Sequence, residues 1–381
     1  MLEKIVKHKI KEKIGRWILE FLSNRKYKVV ANGETSELQE VISGVPQGTV
    51  LAAILFVIMI SDIDEEVEKS IVRSFADDTR TSLKIRTEVD KETLQRDLEK
   101  IYKWARDNLM EFNESKFEQM THGESDNISI ESYKTPSENI ITPSNKVKDL
   151  GIIASDNLRF REHIDGVVTS SKIMIGLLLR TFSMRQEIPM MRLFNTYIRS
   201  KLEYCCLVWS PSQQGDLNKL ERVQKNFTSR ISGMENLNYH QRLSKMKLYS
   251  LERRRERYMI ISAWQQVEGI TENILGLKAR TIGRSRRIVS TVIPFGINGK
   301  IIKEKNRTLI HHSTARRMER LFNILPPDIR KITGKTTETF KKHIDKWLIS
   351  IPDTPKIDDY GITVAAESNS IIDQVRYARN M

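Results

Sequence analysis

Apolar residues recur at helical spacing from the start of the chain. Leu2, Ile5, Val6, Ile10, Ile14, Trp17, Ile18, Phe21 and Leu22 predict one amphipathic helix over residues 2–23. The pattern then shortens. Lys26 to Val30 and Glu34 to Val41 flank Asn32-Gly33, a strong short-range hairpin signal. Ser43 to Leu51 is a Gly/Pro turn that opens an apolar run, Val50 to Ile60. That run is too short to span a bilayer and predicts a buried helix from Thr49 to about Asp64. Ile71 to Ala76 and Thr79 to Ile85 read as short strands, with Asp77 and Asp78 where the first must turn back. Leu94, Leu98, Ile101, Ala105 and Leu109 then form the stripe of a long helix, Asp90 to Phe112.

Residues 122–146 are rich in Ser, Asn, Glu and Pro, with weak strand character near Ile128 to Tyr133, and Val147 to Ile153 returns to strand. From Arg161 the pattern is helical and basic, with helices expected near 161–182, 187–200, 215–232, 239–247 and 251–268. A strand pair, Ile288 to Ile293 with Lys300 to Thr308, is expected around Asn298-Gly299. Helices near 313–323 and 336–349 follow, and residues 353–381 are expected to be poorly ordered.

A length of 381 residues allows two or three domains, each able to bury a core. The net charge of +14 is more telling, because it calls for a polyanionic partner. Nucleic acid suits it better than membrane, since no single amphipathic segment concentrates the charge. The two cysteines, Cys205 and Cys206, are adjacent, which suits neither an ordinary disulfide nor a metal-ligand spacing. The N-terminus has no apolar signal core and no run is long enough to cross a membrane, so the chain is expected in the nucleus or cytoplasm.

Adjacent carboxylates at a hairpin tip repel each other. Asp77 and Asp78 are therefore either an ordinary polar turn or ligands of a hard cation such as Mg²⁺. Gly44, Pro46, Gln47 and Gly48 form a turn whose glycines permit close backbone approach, at a helix start that aims N–H groups at phosphate. The two stretches together carry a resemblance. Ser43 to Leu51 reads S-G-V-P-Q-G-[ST]-V-L and Phe75 to Asp78 reads [FY]-A-D-D, in the order and at the distance seen in reverse transcriptases of non-LTR retrotransposons, close to jockey-like elements.

The resemblance implies an α+β fold: a partial palm of antiparallel strands with packed helices, a helical thumb, and a mixed C-terminal tail. Its expected limits are palm 1–122, a hairpin and primer-grip connection 123–160, thumb 161–270, and a region without assigned chemistry 271–381. It makes Asp77 and Asp78 the catalytic metal ligands for Mg²⁺, with RNA template and DNA primer as partners. Gly44, Pro46, Gln47, Gly48, Phe75 and Ala76 would line the nucleotide and template site. Asn108, Phe112, Asn113 and Lys116 resemble the family's N-x-x-x-F-N-x-x-K segment. Lys116 would then be a catalytic charge beside the nucleotide's phosphates, or else a solvated lysine at a strand edge. Leu150-Gly151 matches the primer-grip position, and Arg253, Arg254, Arg255 and Arg257 form the densest cluster for backbone phosphates.

The same resemblance exposes a gap. Two-metal nucleotidyl transfer shares its ions between the [FY]-A-D-D turn and an aspartate on an earlier strand. No Asp precedes Asp62, and Met1 to Ile5 resembles residues that follow that aspartate in the family. The expectation is an N-terminally truncated RNA-directed DNA polymerase, inactive for want of its first catalytic aspartate. The alternative is a non-catalytic, basic nucleic-acid-binding protein derived from one.

Overall fold

A computed structural model describes residues 2–123, 132–282, 285–290, 313–355 and 368–380. The chain divides into two compact units, residues 1–147 and 148–381.

The N-terminal unit begins with two helices rather than one. Helices α1 (Leu2–Lys7) and α2 (Glu12–Leu22) are separated where Lys9 takes a left-handed φ of 55°. The hairpin expected around Asn32-Gly33 is present: β1 (Lys26–Tyr27) pairs with β4 (Gln39–Glu40), and β2 (Val30–Ala31) with β3 (Glu34–Thr35). Asn32 and Gly33 both have positive φ, 51° and 87°, as a two-residue primed turn requires. Helix α3 (Val50–Ile60) follows. Hairpin β5 (Ile71–Phe75) and β6 (Asp78–Ser82) is antiparallel, and α4 (Glu88–Asp107) starts on a capping box between Thr87 and Asp90. Strand β7 (Glu118–Gln119) pairs in parallel with β8 (Thr142–Pro143). Most of the expected strand at 128–133 lies outside the described residues.

Helix α3 is not the buried helix its sequence suggests. Leu55 is buried against Ile5 and Ile18 and Ala52 is buried too, while Val50, Ile54 and Val57 are more than half exposed. An uncharged helix has no polar side to turn to water, so burying one stripe leaves the other bare. The unit's cores are correspondingly small. One gathers Ile5, Ile18 and Leu55, and the other Ile63, Val72 and Ile101.

The C-terminal unit opens with hairpin β9 (Lys146–Asp149) and β10 (Ile152–Ser155), whose strands pair with each other. The single strand expected over 147–153 is therefore broken by a turn. Helix α5 (Arg161–Thr181) comes next. Helix α6 (Glu187–Leu193) runs through a π-helical turn, Phe194–Arg199, into α7 (Ser200–Glu203). Helices α8 (Cys206–Trp209), α9 (Gln214–Thr228), α10 (Tyr239–Lys245) and α11 (Leu251–Val267) complete the run. Strand β11 (Leu277–Ile282) then pairs with β12 (Ser285–Ser290). The strand expected from Ile288 is thus present in part with an earlier partner, and the expected partner at 300–308 lies outside the described residues. Helices α12 (Thr314–Ile324), α13 (Pro327–Arg330), α14 (Thr337–Leu348) and α15 (Ile371–Asn380) close the chain. Of the stretch expected to be poorly ordered, residues 356–367 lie outside the described residues, and α15 packs Ile371 and Val375 into the core.

No break in packing falls at residue 270. Met259, Ile260 and Trp264 of α11 share one core with Met318, Phe322, Phe340, Ile344 and Ile371. A second core joins α5, α6, the π-helical turn and α9 through Ile164, Ile175, Met190, Phe194, Val223 and Phe227. Each such aliphatic or aromatic side chain contributes about 1.5–3 kcal/mol on burial, so most of the chain's hydrophobic stabilisation lies in this unit.

The interior of this unit also holds carboxyls. Glu221 accepts the Tyr239 hydroxyl proton and the Leu251 N–H at 3.0 Å, and burial pushes its pKa from an ordinary 4.5 up to about 7. Burial also raises Glu256, although the Ile371 N–H donates to it at 2.6 Å. The unfolded chain releases the Glu221 proton near pH 4.5, whereas the folded one keeps it to about 7. This stabilisation is complete below pH 4.5 and is lost as pH rises through 7. Thermal unfolding of the parent should therefore lose midpoint between pH 5 and pH 8 relative to Glu221→Gln. Midpoints that run parallel across that range would contradict the assignment.

Candidate active site

The β5–β6 hairpin places the two aspartates as the sequence suggests. Phe75 pairs directly with Asp78, so Ala76 and Asp77 are the two turn residues. Ala76 has φ of 51°, a left-handed conformation that costs an L-residue about 1–2 kcal/mol. Asp77, Asp78 and Phe75 are all exposed, Phe75 by 67%. Among the described residues the Asp77 and Asp78 carboxylates make no side-chain hydrogen bond or ion pair.

What holds the hairpin is Asp97 on α4, a residue the sequence reading passed over. Its buried carboxylate accepts the N–H groups of Glu68 at 2.7 Å, Lys69 at 3.2 Å and Ser70 at 2.9 Å. The Ser70 hydroxyl donates to it at 2.7 Å. Burial would raise its pKa, but these donors win and hold it below the ordinary carboxylate value. The segment entering β5 is thereby tied to α4. The available signal was an acid inside an apolar stripe, between Leu94, Leu98 and Ile101.

The Gly/Pro turn also forms. Gly44 and Gly48 have φ of 79° and 82°, and a Cβ at either would meet nothing within 4 Å, so they are needed for conformation rather than space. Thr49 caps α3, accepting from the Ala52 N–H at 3.2 Å and donating to the Pro46 carbonyl at 3.0 Å. Arg25 donates to the Gly44 carbonyl from below the turn. Gln47 is exposed and its amide is free of side-chain hydrogen bonds among the described residues.

Lys116 ends a single 3₁₀ turn, Glu114–Lys116, and is exposed. Its neighbour Glu114 accepts from Thr135 and Asn139, both at 2.9 Å. Among the described residues no side-chain bond joins Lys116 to the aspartates.

A two-metal centre needs carboxylates on both sides of its ions. Among the described residues no group of three His, Cys, Asp or Glu side chains is placed to hold a metal. Buried Asp97 and half-buried Asp62 of the N-terminal unit are both committed. Asp97 serves the backbone, and Asp62 accepts from Lys4 at 2.6 Å and from the Trp104 indole at 2.9 Å. Among the described residues Asp77 and Asp78 have no third carboxylate placed beside them to share a pair of ions.

In the C-terminal unit, Leu150 and Gly151 are the two turn residues of the β9–β10 hairpin, with φ of 44° and 83°. The Tyr204 hydroxyl donates to the Leu150 carbonyl at 3.0 Å, and a Cβ on Gly151 would lie 3.7 Å from the Tyr204 ring. Trp209 is a core residue, its indole donating to the Tyr204 carbonyl at 2.8 Å.

The arginine cluster has a different use from the one expected. Arg253 is fully buried and donates to the carbonyls of Ile351 at 3.2 Å and Pro352 at 2.6 Å. Arg255 is buried as well. Arg254 makes a bidentate pair with Glu203, and Arg257 another with Asp345. Arg254 thus fastens α11 to α7, Arg257 fastens it to α14, and Arg253 ties it to the segment after α14. Helical spacing puts three consecutive residues on different sides of α11, which an even charge run conceals.

Comparison with known proteins follows the same line as the hairpin and the turn. Residues 1–154 match the model of the family described as reverse transcriptase (RNA-dependent DNA polymerase). An uncharacterised protein of Caenorhabditis elegans is 30% identical over 114 residues, covering 29% of this chain and 58% of its own. The RNA-directed DNA polymerase from mobile element jockey of Drosophila funebris is 24% identical over 227 residues, 57% of this chain and 25% of its own. The jockey polymerase of Drosophila melanogaster is 23% identical over 228 residues, 56% of this chain and 24% of its own. The chain therefore spans about a quarter of the length of the polymerases it matches. The similarity is thus to the reverse transcriptase family over the first 154 residues and to jockey-type retrotransposon polymerases over rather more than half of the chain.

Proposed function

We propose that this chain is a reverse-transcriptase-derived nucleic-acid-binding protein that does not by itself polymerise DNA. One observation carries the reading. Asp77 and Asp78 stand exposed at the tip of a hairpin, while buried Asp97 and half-buried Asp62 of that unit are bonded elsewhere. Binding needs only charge and a shaped surface, and the net charge of +14 provides the first. RNA template and DNA primer are the partners that the similarity to the jockey polymerases favours. The helices from α5 onward act as the thumb, with the Leu150-Gly151 tip beside the primer. Arg180, Arg192 and Lys201 are better placed for phosphate than the α11 cluster, since the first two are exposed and the third half-exposed.

Binding of a primed RNA template should weaken linearly in log–log form as KCl rises. The expected slope corresponds to several neutralised phosphates at about 0.7–0.9 each. A flat salt dependence, or no binding at low salt, would remove the reading.

A further inference from the structure

We propose that the outward face of the β11–β12 ribbon seats nucleic-acid backbone phosphates on Lys278, Arg280 and Arg287. The proposal rests on the reading that the chain binds nucleic acid. It names a surface in the region to which the resemblance assigns no chemistry. Lys278 and Arg280 lie two residues apart on β11, about 7 Å along one face. Arg287 of β12 stands directly opposite Arg280. All three are exposed, and among the described residues none makes an ion pair or a side-chain hydrogen bond. Directly opposed residues carry Cβ atoms about 5 Å apart, and like charges there repel. A phosphate between them turns that repulsion into two attractions.

The inward face is fully engaged. Leu277 and Ile288 are buried in the core that holds Trp264 and Phe322. Asn323 of α12 clasps β12, accepting the Ile288 N–H at 2.9 Å and donating to the Ile288 carbonyl at 2.8 Å. Arg286 lies on this face, pairs with Glu268 and donates to the Ile332 carbonyl at 3.3 Å. The ribbon is thus fixed in place, with Arg286 neutralised inside and Lys278, Arg280 and Arg287 bare outside. No Asp or Glu occurs between Glu272 and Glu304, so the ribbon supplies no carboxylate of its own.

The make-up of the face selects the partner. A guanidinium meets a phosphate through two parallel N–H donors. Among the described residues no large apolar side chain of the ribbon is exposed, so nothing there would enter a membrane or an apolar groove. Residues 277–290 include no Phe, Tyr or Trp on which a base could stack. The contact is therefore to phosphates rather than bases, and single strands and duplexes suit it alike.

The test uses the full chain with an RNA strand and a DNA duplex, each about 12 nucleotides long, within the usual span of single-strand sites. Affinity is followed by fluorescence anisotropy against KCl. R280T/R287T, whose threonines suit a strand, should bind both about tenfold more weakly. Its salt slope should fall by about 1.4 on the single strand and about 1.8 on the duplex, two contacts at 0.7 or 0.9 each. Its thermal midpoint should match or exceed the parent's, since the like-charge pair is gone. Lost binding with a lowered midpoint would place these arginines in the fold instead and overturn the proposal. R280K/R287K keeps both charges and should keep the parent slope. Equal slope losses in the two variants would mean that the ribbon does not act through charge, which contradicts the proposal. If R280T/R287T keeps the parent's affinity and slope, this surface is wrong and binding belongs elsewhere on the chain. If the parent itself fails to bind, the functional reading falls and this proposal with it.

Discussion

Replacing Trp264 by alanine should lower the stability of the C-terminal unit by about 3–5 kcal/mol, the usual cost of truncating a buried Trp. Trp264 is fully buried and stacked on Phe340, with ring centroids 4.3 Å apart and planes 10° from parallel. Its indole N–H donates to the Ile332 carbonyl at 2.9 Å. Alanine leaves a cavity between α11 and α14 and takes from the Ile332 carbonyl one of its two donors, the other being Arg286 at 3.3 Å. The stability of a domain totals about 5–15 kcal/mol, so a loss of this size takes a large share. The thermal midpoint by near-ultraviolet circular dichroism should fall by about 10 °C. Trp264→Phe keeps a ring on Phe340 and gives up the hydrogen bond, and should cost about 1–2 kcal/mol. A Trp264→Ala midpoint within about 2 °C of the parent would mean that α11 and α14 do not pack as described.

Asp97→Ala should free the β5–β6 hairpin from α4. The substitution strands three backbone N–H groups and a hydroxyl that now share one carboxylate. Hydrogen bonds to a charged acceptor contribute about 1.5–3 kcal/mol each and are not additive, so the expected loss is about 3–5 kcal/mol. The small core around Ile63, Val72 and Ile101 has little with which to offset it. Amide exchange across Ile71–Ser82 should accelerate while exchange in α11 stays at the parent rate. Uniform exchange across both units would show that the hairpin does not depend on Asp97. The pH sign is opposite to that of Glu221. The Asp97 carboxyl is held below its ordinary 3.8, so its stabilisation is present above that value and is lost as pH falls through the depressed one.

The elements set by local chemistry were legible in the sequence. Asn32-Gly33, Thr49 ahead of Val50, and the helices of the C-terminal unit all form close to where their patterns put them. What periodicity could not show is which side of an element finds a partner. Helix α3 is apolar all round, and its exposed Ile54 and Val57 differ from buried Leu55 only in what packs on them. Arg253 to Arg257 read as one basic patch because sequence does not reveal that Glu203, Asp345 and two carbonyls stand opposite them. Leu150 was placed in a strand because a Leu at positive φ has no sequence signal except the glycine after it.

The candidate site divides in the same way. The tip aspartates and the Gly-Pro-Gln-Gly turn were visible as motifs, since they depend on residues next to one another. Asp97 and Tyr204 were not, because each acts on a segment distant in sequence through backbone groups that every residue possesses.

Purified chain should be given Mg²⁺, a primed RNA template and deoxynucleoside triphosphates, with primer extension followed at single-nucleotide resolution. On the proposed reading the chain extends no primer, even at template concentrations where it is fully bound. Extension by the parent that disappears in Asp77→Asn would show that a complete two-metal centre assembles at this hairpin.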